Sequence, residues 1–412
     1  MDLNRALSII DSPALLRGQS DDALLHRVTE AAEFVPSDKA LSPARGLHGG
    51  IRLRPAEALH QLSYVTQPRY HANLLDFYAQ WALTRYVGFF DHEEADKSIP
   101  PGLTVSEAGR RIVGNQRRVT SEEMGIAFGA VLATRWLQRT VGARVPISIV
   151  DIDAALDDRV IYAGGARQVV RKVATTRPDY LLIAQDPSAT HRFVIRTLEC
   201  KGTKTRSHAV KQIAKALTQL GGVSVGGRVP TGLATSVIPN DRMSYLALDP
   251  DEGDELSHVV DPATIEQSRG FRLTDDVADW SPTALAAASV RAAWATLADF
   301  GGNLGALEQW APTVMLDRLD RQSRDRTDFD TPYGLARGTR VTFTFAGRSF
   351  TVRYGIDAAI DRQLSNGSAG TITEAQAAFA RRLSQQDRPV EAGSGESYSA
   401  TADGSIFAIR ID

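Results

Sequence analysis

Between residues 121 and 238, short segments rich in β-branched residues alternate with segments that have a helical period. Ser121 is placed to cap a helix, with Glu122 and Glu123 in its first turn. The predicted elements that follow are strands at 145–152, 168–173, 180–184 and 192–201, a helix at 207–220, and a strand at 233–238. Strands and helices in this order pack as a sheet with helices on its faces, so the sequence predicts an α/β core.

The region before this alternation is predicted to be mainly helical. Ser20-Asp21-Asp22 can cap one helix, and the spacing of apolar residues over 71–90 predicts a longer one. Pro100-Pro101-Gly102 then interrupts the chain. We therefore expect a helical N-terminal region over residues 1–105, followed by the core over 106–248.

The region after the core mixes both kinds of element. The predicted elements are helices over 282–320, two strands over 340–357 that turn at Ala346-Gly347, a helix with a capping box at Thr371 and Glu374, and a hairpin that turns at Asp403-Gly404. Residues 325–338 are polar and rich in turn formers, which predicts a surface loop. We expect residues 249–412 to form an α+β C-terminal domain for recognition, docking or dimerisation.

Composition excludes several classes of protein. The single cysteine, Cys200, excludes an internal disulfide framework and any zinc site made of several cysteines. No run approaches the roughly 18 to 20 apolar residues of a membrane helix, so no membrane association is expected. An acidic residue at position 2 and the lack of a long apolar run near the start argue against a secretory signal. The cytoplasm is the expected location.

Positive charge is concentrated in two runs, although the net charge is only −2. The first contains Arg110, Arg111, Arg117 and Arg118, and the second contains Lys201, Lys204, Arg206, Lys211 and Lys215. Phosphate contacts would have to come from such local runs, because the chain as a whole is not basic. The alternative interpretation is that both runs are solvated faces.

Two strands carry a set of charged residues suited to metal chemistry. Asp179 follows Pro178 at the start of one strand, and Glu199-Cys200-Lys201 ends the next. Side chains alternate along a strand, so Glu199 and Lys201 face one way and Cys200 the other. If the strands pair as a hairpin, Asp179 lies beside Glu199 and Lys201.

Paired carboxylates supply the oxygen ligands that Mg²⁺ prefers, and the Cys200 carbonyl oxygen can add a third ligand. Lys201 can hold a water or neutralise developing charge. Two other interpretations remain open: that Asp179 ends a turn, and that Glu199 and Lys201 form a solvated pair worth under about 1 kcal/mol. The Cys200 thiol is expected to be a small buried hydrophobe rather than a nucleophile.

Pro178-Asp179 with Glu199-Cys200-Lys201 resembles the PD-(D/E)xK motif of the restriction-endonuclease-like nuclease superfamily. The resemblance covers roughly residues 118–240 and includes the order of elements. It implies a mixed sheet flanked by helices and a site that holds Mg²⁺ or Mn²⁺. It also implies an acidic residue from the first helix, Glu123 with Glu122 as the neighbouring choice, and polar residues from the second helix. These are Gln212, Lys215 and Gln219.

The expected function is a Mg²⁺-dependent endonuclease that cleaves DNA, in restriction or anti-phage defence. The residues expected to contact nucleic acid are Lys204, Arg206, Lys211, Lys215, Arg117 and Arg118. A homodimer or a subunit of a defence complex is expected by analogy. Two alternatives stay open: an inactive nuclease-like module that binds nucleic acid or a partner, and a nuclease that cleaves RNA.

Overall fold

The computed structural model describes residues 3–36, 40–66, 85–93, 101–155, 162–163, 177–186, 192–222, 224–225, 230–250, 257–267, 282–316, 324–345, 347–385 and 395–411. The strand predicted at 168–173 lies outside the described residues. So does the helix predicted over 71–90, as far as residue 84.

Helices and strands alternate along most of the described chain. The helices are α1 Leu3–Asp11, α2 Asp22–Thr29, α3 Pro55–Val65, α4 Glu107–Arg110, α5 Gly114–Val141, α6 Ile152–Ala155, α7 Arg206–Leu220, α8 Pro262–Gln267, α9 Pro282–Phe300, α10 Leu304–Trp310, α11 Thr313–Leu316, α12 Ala358–Asn366 and α13 Ala369–Gln385. The strands are β1 Ala14–Gln19, β2 Leu41–Pro43, β3 Ile51–Leu53, β4 Phe90–His92, β5 Leu103–Val105, β6 Ile147–Asp151, β7 Tyr162–Ala163, β8 Tyr180–Gln185, β9 Arg192–Gly202, β10 Ser224–Val225, β11 Gly232–Ile238, β12 Ser244–Pro250, β13 Ser257–Val259, β14 Arg326–Thr331, β15 Gly334–Phe345, β16 Arg348–Asp357, β17 Glu396–Ala400 and β18 Ser405–Ile411.

The main sheet has nine strands and mixed directions. Its order is β3-β1-β12-β11-β9-β8-β6, with β13 paired to β9 and β2 paired to β12. The pairs β1–β12 and β9–β11 are parallel, and the other pairs in this sheet are antiparallel. The predicted strands near 145–152, 180–184, 192–201 and 233–238 are confirmed, as is the helix near 207–220. The sequence thus correctly predicted the central strands of the sheet and the helix that packs on them, as expected for an α/β fold.

The main sheet crosses both of the expected boundaries at residues 106 and 249. Its strands β1, β2 and β3 come from the N-terminal region, which was expected to be mainly helical, and β13 comes from beyond residue 249. The reason is that β1 finds its partner far along the chain: Arg17 pairs with Ser244. Local patterns do not report such pairings.

Helices cover the two faces of the sheet near β9 and β11. On one face, α5 packs so closely that a Cβ atom at Gly129 would lie 2.6 Å from Cys200 Sγ. On the other face, Ile213 and Leu217 of α7 join a buried cluster with Ala234 of β11. The helix expected to begin at Ser121 begins seven residues earlier, at Gly114. Ser121 is not its cap, because its hydroxyl donates within the helix to the Arg117 carbonyl at 2.9 Å.

The C-terminal part forms a five-stranded antiparallel sheet in the order β14-β15-β16-β18-β17. The predicted turns at Gly347 and at Asp403-Gly404 are confirmed, with positive φ angles at both glycines. The surface loop expected over 325–338 is wrong, because β14 and the start of β15 pair there. The capping box expected at Thr371 is displaced: Ser368 Oγ accepts from the Thr371 N–H at 3.3 Å, ahead of α13.

Buried hydrogen bonds join α3 to the C-terminal sheet. His60 is fully buried, and its ring nitrogens lie 3.0 Å from Ser399 Oγ and 3.1 Å from Ser405 Oγ. Tyr64 Oη donates to Asp403 Oδ2 at 2.8 Å. Burial lowers the pKa of His60 to about 3, so the ring is neutral at physiological pH. The C-terminal sheet therefore shares a core with the N-terminal region.

The contact between α5 and β9 depends on Gly125. A Cβ atom there would lie 2.5 Å from the Lys201 carbonyl carbon and 2.6 Å from the Gly202 nitrogen. Both are backbone atoms that cannot rotate away. We expect Gly125→Ala to lower the free energy of unfolding by about 1–3 kcal/mol, as overpacking does, in urea denaturation.

Gly305 in α10 is the matched control. It is exposed, and nothing lies within 4 Å of a Cβ atom placed there. Gly305→Ala is therefore expected to raise the free energy of unfolding by up to about 1 kcal/mol through helix propensity. Equal effects of the two substitutions would contradict the close approach.

None of the helices in the described part of the chain combines the length and the apolarity that a membrane span requires.

Candidate functional site

Asp179, Glu199 and Lys201 converge at one end of the β8–β9 pair. The Asp179 N–H donates to Glu199 Oε2 at 2.9 Å, and the Cys200 N–H donates to Asp179 Oδ2 at 3.0 Å. Lys201 Nζ donates to Glu199 Oε1. The three side chains predicted to form the site are thus brought together.

Strand register explains this convergence. Tyr180 pairs with Leu198 in the antiparallel ladder, so Asp179 lies opposite Glu199 just beyond the last pair. The Asp179 N–H also reaches the Leu198 carbonyl at 3.1 Å. Because the N–H and C=O of one residue in a strand point to the same side, the Cys200 carbonyl oxygen faces the same side as its N–H, toward Asp179.

The faces of β9 separate the thiol from the charged groups. Cys200 packs against α5 at Gly129, and burial raises the pKa of its thiol. Glu199 and Lys201 point to the opposite face, which α7 covers. Cys200 is therefore a buried, unreactive side chain that can offer only its main chain to the site.

Burial dominates the electrostatics of the two carboxyl groups. Glu199 is 0% exposed. Burial raises its pKa to about 8, and the negative charge of Asp179 adds to the effect, whereas Lys201 opposes it. Burial also raises the pKa of Asp179, against the charge of Lys201. Burial disfavours the charged form of Lys201, but the hydrogen bond and charge of Glu199 together with the charge of Asp179 favour it, and the pKa of Lys201 is raised.

A third carboxylate, Asp151, lies near the site and was not predicted. It ends β6 and pairs in register with Tyr180, the neighbour of Asp179. Its negative charge contributes to the raised pKa of Asp179. Its Oδ1 accepts from the Asp153 N–H at 2.8 Å. The available signal was an aspartate at the end of a predicted strand, but its neighbour β8 could not be assigned from sequence.

Glu123 is not placed with the other predicted site residues. It accepts a hydrogen bond from Tyr86 Oη and pairs with Arg85 at 3.4 Å. The reason is the orientation of α5, which turns Gly125 and Gly129 toward β9 and packs on the Cys200 face. Its neighbour Glu122 pairs with Arg118 at 3.3 Å and is also directed elsewhere.

Gln212 of α7 lies on the face of the sheet that carries Glu199 and Lys201. Its Oε1 accepts from Ser236 Oγ at 3.0 Å, and its Nε2 donates to the Gly202 carbonyl at 3.4 Å. Ser236 pairs with Lys201 in the parallel ladder. Gln212 therefore holds the end of β9 next to Lys201, which is a positioning role.

The other polar residues of α7 contact other parts of the structure. Gln219 Nε2 donates to the Arg177 carbonyl at 3.4 Å, ahead of Asp179. Lys211 pairs with Glu33 at 3.4 Å, and Lys215 lies near the same carboxylate.

The basic residues expected to contact nucleic acid fall into two groups. Arg117 has a structural role, since its guanidinium donates to the Gly109 carbonyl at 3.1 Å and the Pro239 carbonyl at 2.7 Å. Lys204 and Arg206, by contrast, are exposed where β9 leads into α7. Arg118 is exposed too, although it pairs with Glu122.

Arg27 of α2 extends this exposed basic group and was not predicted. Arg27 donates to Gln19 Oε1 at 2.6 Å, and Arg206 donates to the same oxygen. Two guanidinium groups thus meet at a glutamine of the N-terminal strand β1, and Lys204 precedes Arg206 by two residues. We call Arg27, Lys204 and Arg206 the basic group.

Among the described residues, no three His, Cys, Asp or Glu side chains are spaced to hold a metal ion. Mg²⁺ requires less, because it is often held by one or two carboxylates, with waters and substrate phosphates completing its shell. Asp179, Glu199 and the Cys200 carbonyl oxygen fit that requirement. Buried carboxylates with raised pKa values are also groups that a cation would stabilise.

Comparison with protein-family models, with curated proteins and with solved structures finds no match for this chain.

Proposed function

We propose that this protein is a metal-dependent nuclease with a restriction-endonuclease-like core, which uses Mg²⁺ or Mn²⁺ to hydrolyse phosphodiester bonds in DNA. The observation that carries the proposal is the contact set among Asp179, Glu199 and Lys201. Two carboxyl groups and an ammonium group meet at one end of a hairpin, and Asp179 lies 20 residues before Glu199 in the sequence. The motif resemblance supports the same assignment.

Burial of the site supports catalysis rather than a surface ion pair. Glu199 is fully buried, whereas Lys201 remains one-quarter exposed at its side chain. An exposed pair would contribute little, but charges held in a low-dielectric site act strongly on a neighbouring phosphate. The site is therefore shielded from solvent at Glu199 and accessible to solvent at Lys201.

Each residue then has a defined task. Asp179, Glu199 and the Cys200 carbonyl oxygen would hold the ion. When bound, the ion supplies Lewis-acid stabilisation of the scissile phosphate and lowers the pKa of an attacking water. Lys201 would orient that water or neutralise the charge that develops on the phosphate. Gln212 and Ser236 hold the end of β9 in place.

The basic group supports a nucleic-acid substrate. Lys204 and Arg206 follow Lys201 within five residues, and Arg206 contacts Gln19 of β1, the third strand across the sheet from β9. The cations that would neutralise the backbone therefore flank the site along the sheet. Such contacts position a substrate without reading its sequence. DNA is proposed as the substrate on this basis together with the resemblance.

The decisive test is incubation of the full-length protein with supercoiled plasmid, linear DNA and RNA. We expect the plasmid to be cut with Mg²⁺ or Mn²⁺ and to stay intact with EDTA. Cleavage of RNA alone would replace DNA as the substrate. Cleavage that persists in EDTA, or an absence of cleavage on all three substrates, would overturn the metal-dependent nuclease.

A further inference from the structure

A second site of interest lies on the far side of α5, away from β9. A cavity of about 520 Å³ lies between α3, α5, α13 and the turn that joins β17 to β18. This volume is in the range of small-molecule sites. Its walls come from three distant parts of the chain, so it exists only in the assembled fold.

One buried polar residue that lines this cavity has an atom without a hydrogen-bond partner among the described residues. Gln61 is 6% exposed and lines the cavity, and its Oε1 has no hydrogen-bond partner among the described residues. A buried amide oxygen without a donor is unfavourable, and native structures seldom leave one. The oxygen has almost no accessible surface, so the Gln61 amide must turn toward the cavity for a ligand N–H or O–H donor to satisfy it.

Three arginines line the same cavity, and two of them are already neutralised. Arg54 pairs with Asp11 at 3.1 Å, and Arg135 pairs with Glu57 at 2.8 Å. Arg52 is exposed and makes no ion pair with any residue in the described part of the chain. The cavity therefore has an excess of positive charge at Arg52, and guanidinium groups match phosphate oxygens well.

The remaining walls suit a flat organic body. Tyr333 presents a partly buried ring, and Leu53, Val131 and Leu383 supply aliphatic surface. Inorganic phosphate alone would leave most of such a space empty. An organic phosphate with a planar ring and an amino group would fill it and also reach Gln61 and Arg52.

We propose that this cavity binds an amino-bearing organic phosphate of about mononucleotide size, with its amino group on Gln61 Oε1 and its phosphate on Arg52. The site goes beyond the proposed nuclease function and does not depend on it. It reaches α5 through Val131, Thr134 and Gln138, on the helix that packs against Lys201 through Gly125.

The test uses the full-length protein in EDTA, with AMP as the probe and adenosine and ribose 5-phosphate as its two halves. We expect AMP to raise the melting temperature and to bind in calorimetry at least tenfold more tightly than either half. Gln61→Leu and Arg52→Ala are each expected to weaken AMP binding at least tenfold. Arg340→Ala, an exposed arginine outside the cavity, should leave it unchanged.

Glu199→Gln separates this site from the nuclease site. Because EDTA removes divalent ions and Glu199 lies on the other side of α5, AMP should bind Glu199→Gln as it binds the wild type. The proposal is overturned if AMP gives neither heat nor a thermal shift. It is also overturned if Gln61→Leu and Arg52→Ala both bind AMP as tightly as the wild type, or if ribose 5-phosphate binds as tightly as AMP.

Discussion

Lys201→Ala is expected to lower Mg²⁺-dependent cleavage of plasmid DNA by at least about a hundredfold, the loss typical of one preorganised electrostatic group. The Lys201 ammonium group contacts Glu199 and is the cation closest to the two carboxylates. Without it, neither the attacking water nor the developing charge on the phosphate has its partner. Initial cleavage rates at saturating Mg²⁺ measure the effect.

Lys204→Ala is the matched control for this substitution. It removes the same charge three residues further on, from an exposed position. Its expected effect is weaker DNA binding and a log–log salt slope smaller by about 0.9, with the cleavage step retained. Circular dichroism of Lys201→Ala checks that the fold is intact. A folded Lys201→Ala protein that cuts at the wild-type rate would remove the proposed mechanism.

The contribution of Glu199 to the stability of the metal-free protein is expected to fall as pH rises. Its ordinary pKa is 4.5, and burial raises it to about 8 in the folded protein. Between these two values the folded state holds a proton that the unfolded state has lost. The Glu199 contribution therefore decreases with rising pH across this window, by at most about 1.4 kcal/mol per pH unit for one proton. His60, whose pKa is lowered from 6.5 to about 3 in the folded protein, has the opposite effect at the lower end of the window.

Urea denaturation in EDTA at several pH values between 5 and 8 measures this effect in the wild type and in Glu199→Gln. The amide has no proton to lose, so the free energy of unfolding of Glu199→Gln should rise relative to that of the wild type as pH increases, while His60 affects both proteins equally. Added Mg²⁺ should stabilise the wild type most at the upper end, because it binds the ionised carboxylates. Parallel curves for the two proteins without metal would show that Glu199 does not titrate as inferred.

The convergence of Asp179, Glu199 and Lys201 was predictable because the hairpin is local. Two consecutive strands with a short connection usually pair side by side, and the alternation of side chains then fixes which groups share a face. Cys200 was expected to be a small buried hydrophobe because no histidine other than His191 and His208 lies near it in sequence, and its burial is confirmed. Asp151 was not predicted, because its place near the site depends on which strand pairs with β8, and the local sequence pattern does not encode that pairing.

The misplacement of Glu123 has a different physical cause. A helix at the start of such a core can turn any of several faces toward the sheet, and the choice is made by close packing. Here Gly125 and Gly129 permit contact with the backbone of β9, so the face with Glu123 points toward Arg85 and Tyr86 instead. The glycines were visible in the sequence as Gly-x-x-x-Gly, and their spacing was the available signal.

Polar strands at the edge of a sheet were also not recognised from the sequence. β14 has exposed residues at three of its six positions and one buried residue, Phe329. A strand at the edge of a sheet needs little apolar surface, so its composition resembles that of a loop. The inner strands β16 and β18, which are mostly buried, were predicted correctly.

The pairing of β1 with β12 affects the order in which the chain can fold during synthesis. β1 leaves the ribosome before the other strands of the main sheet and gains β3 as a neighbour soon afterwards, since Ala14 pairs with Leu53. Its other neighbour is made more than 200 residues later, because Arg17 pairs with Ser244. At translation rates of about 5–20 residues per second, one edge of β1 waits roughly 10 to 45 seconds for a partner. The β8–β9 hairpin leaves the ribosome within that interval. Asp179, Glu199 and Lys201 can therefore come together before β1 pairs with β12 and completes the sheet.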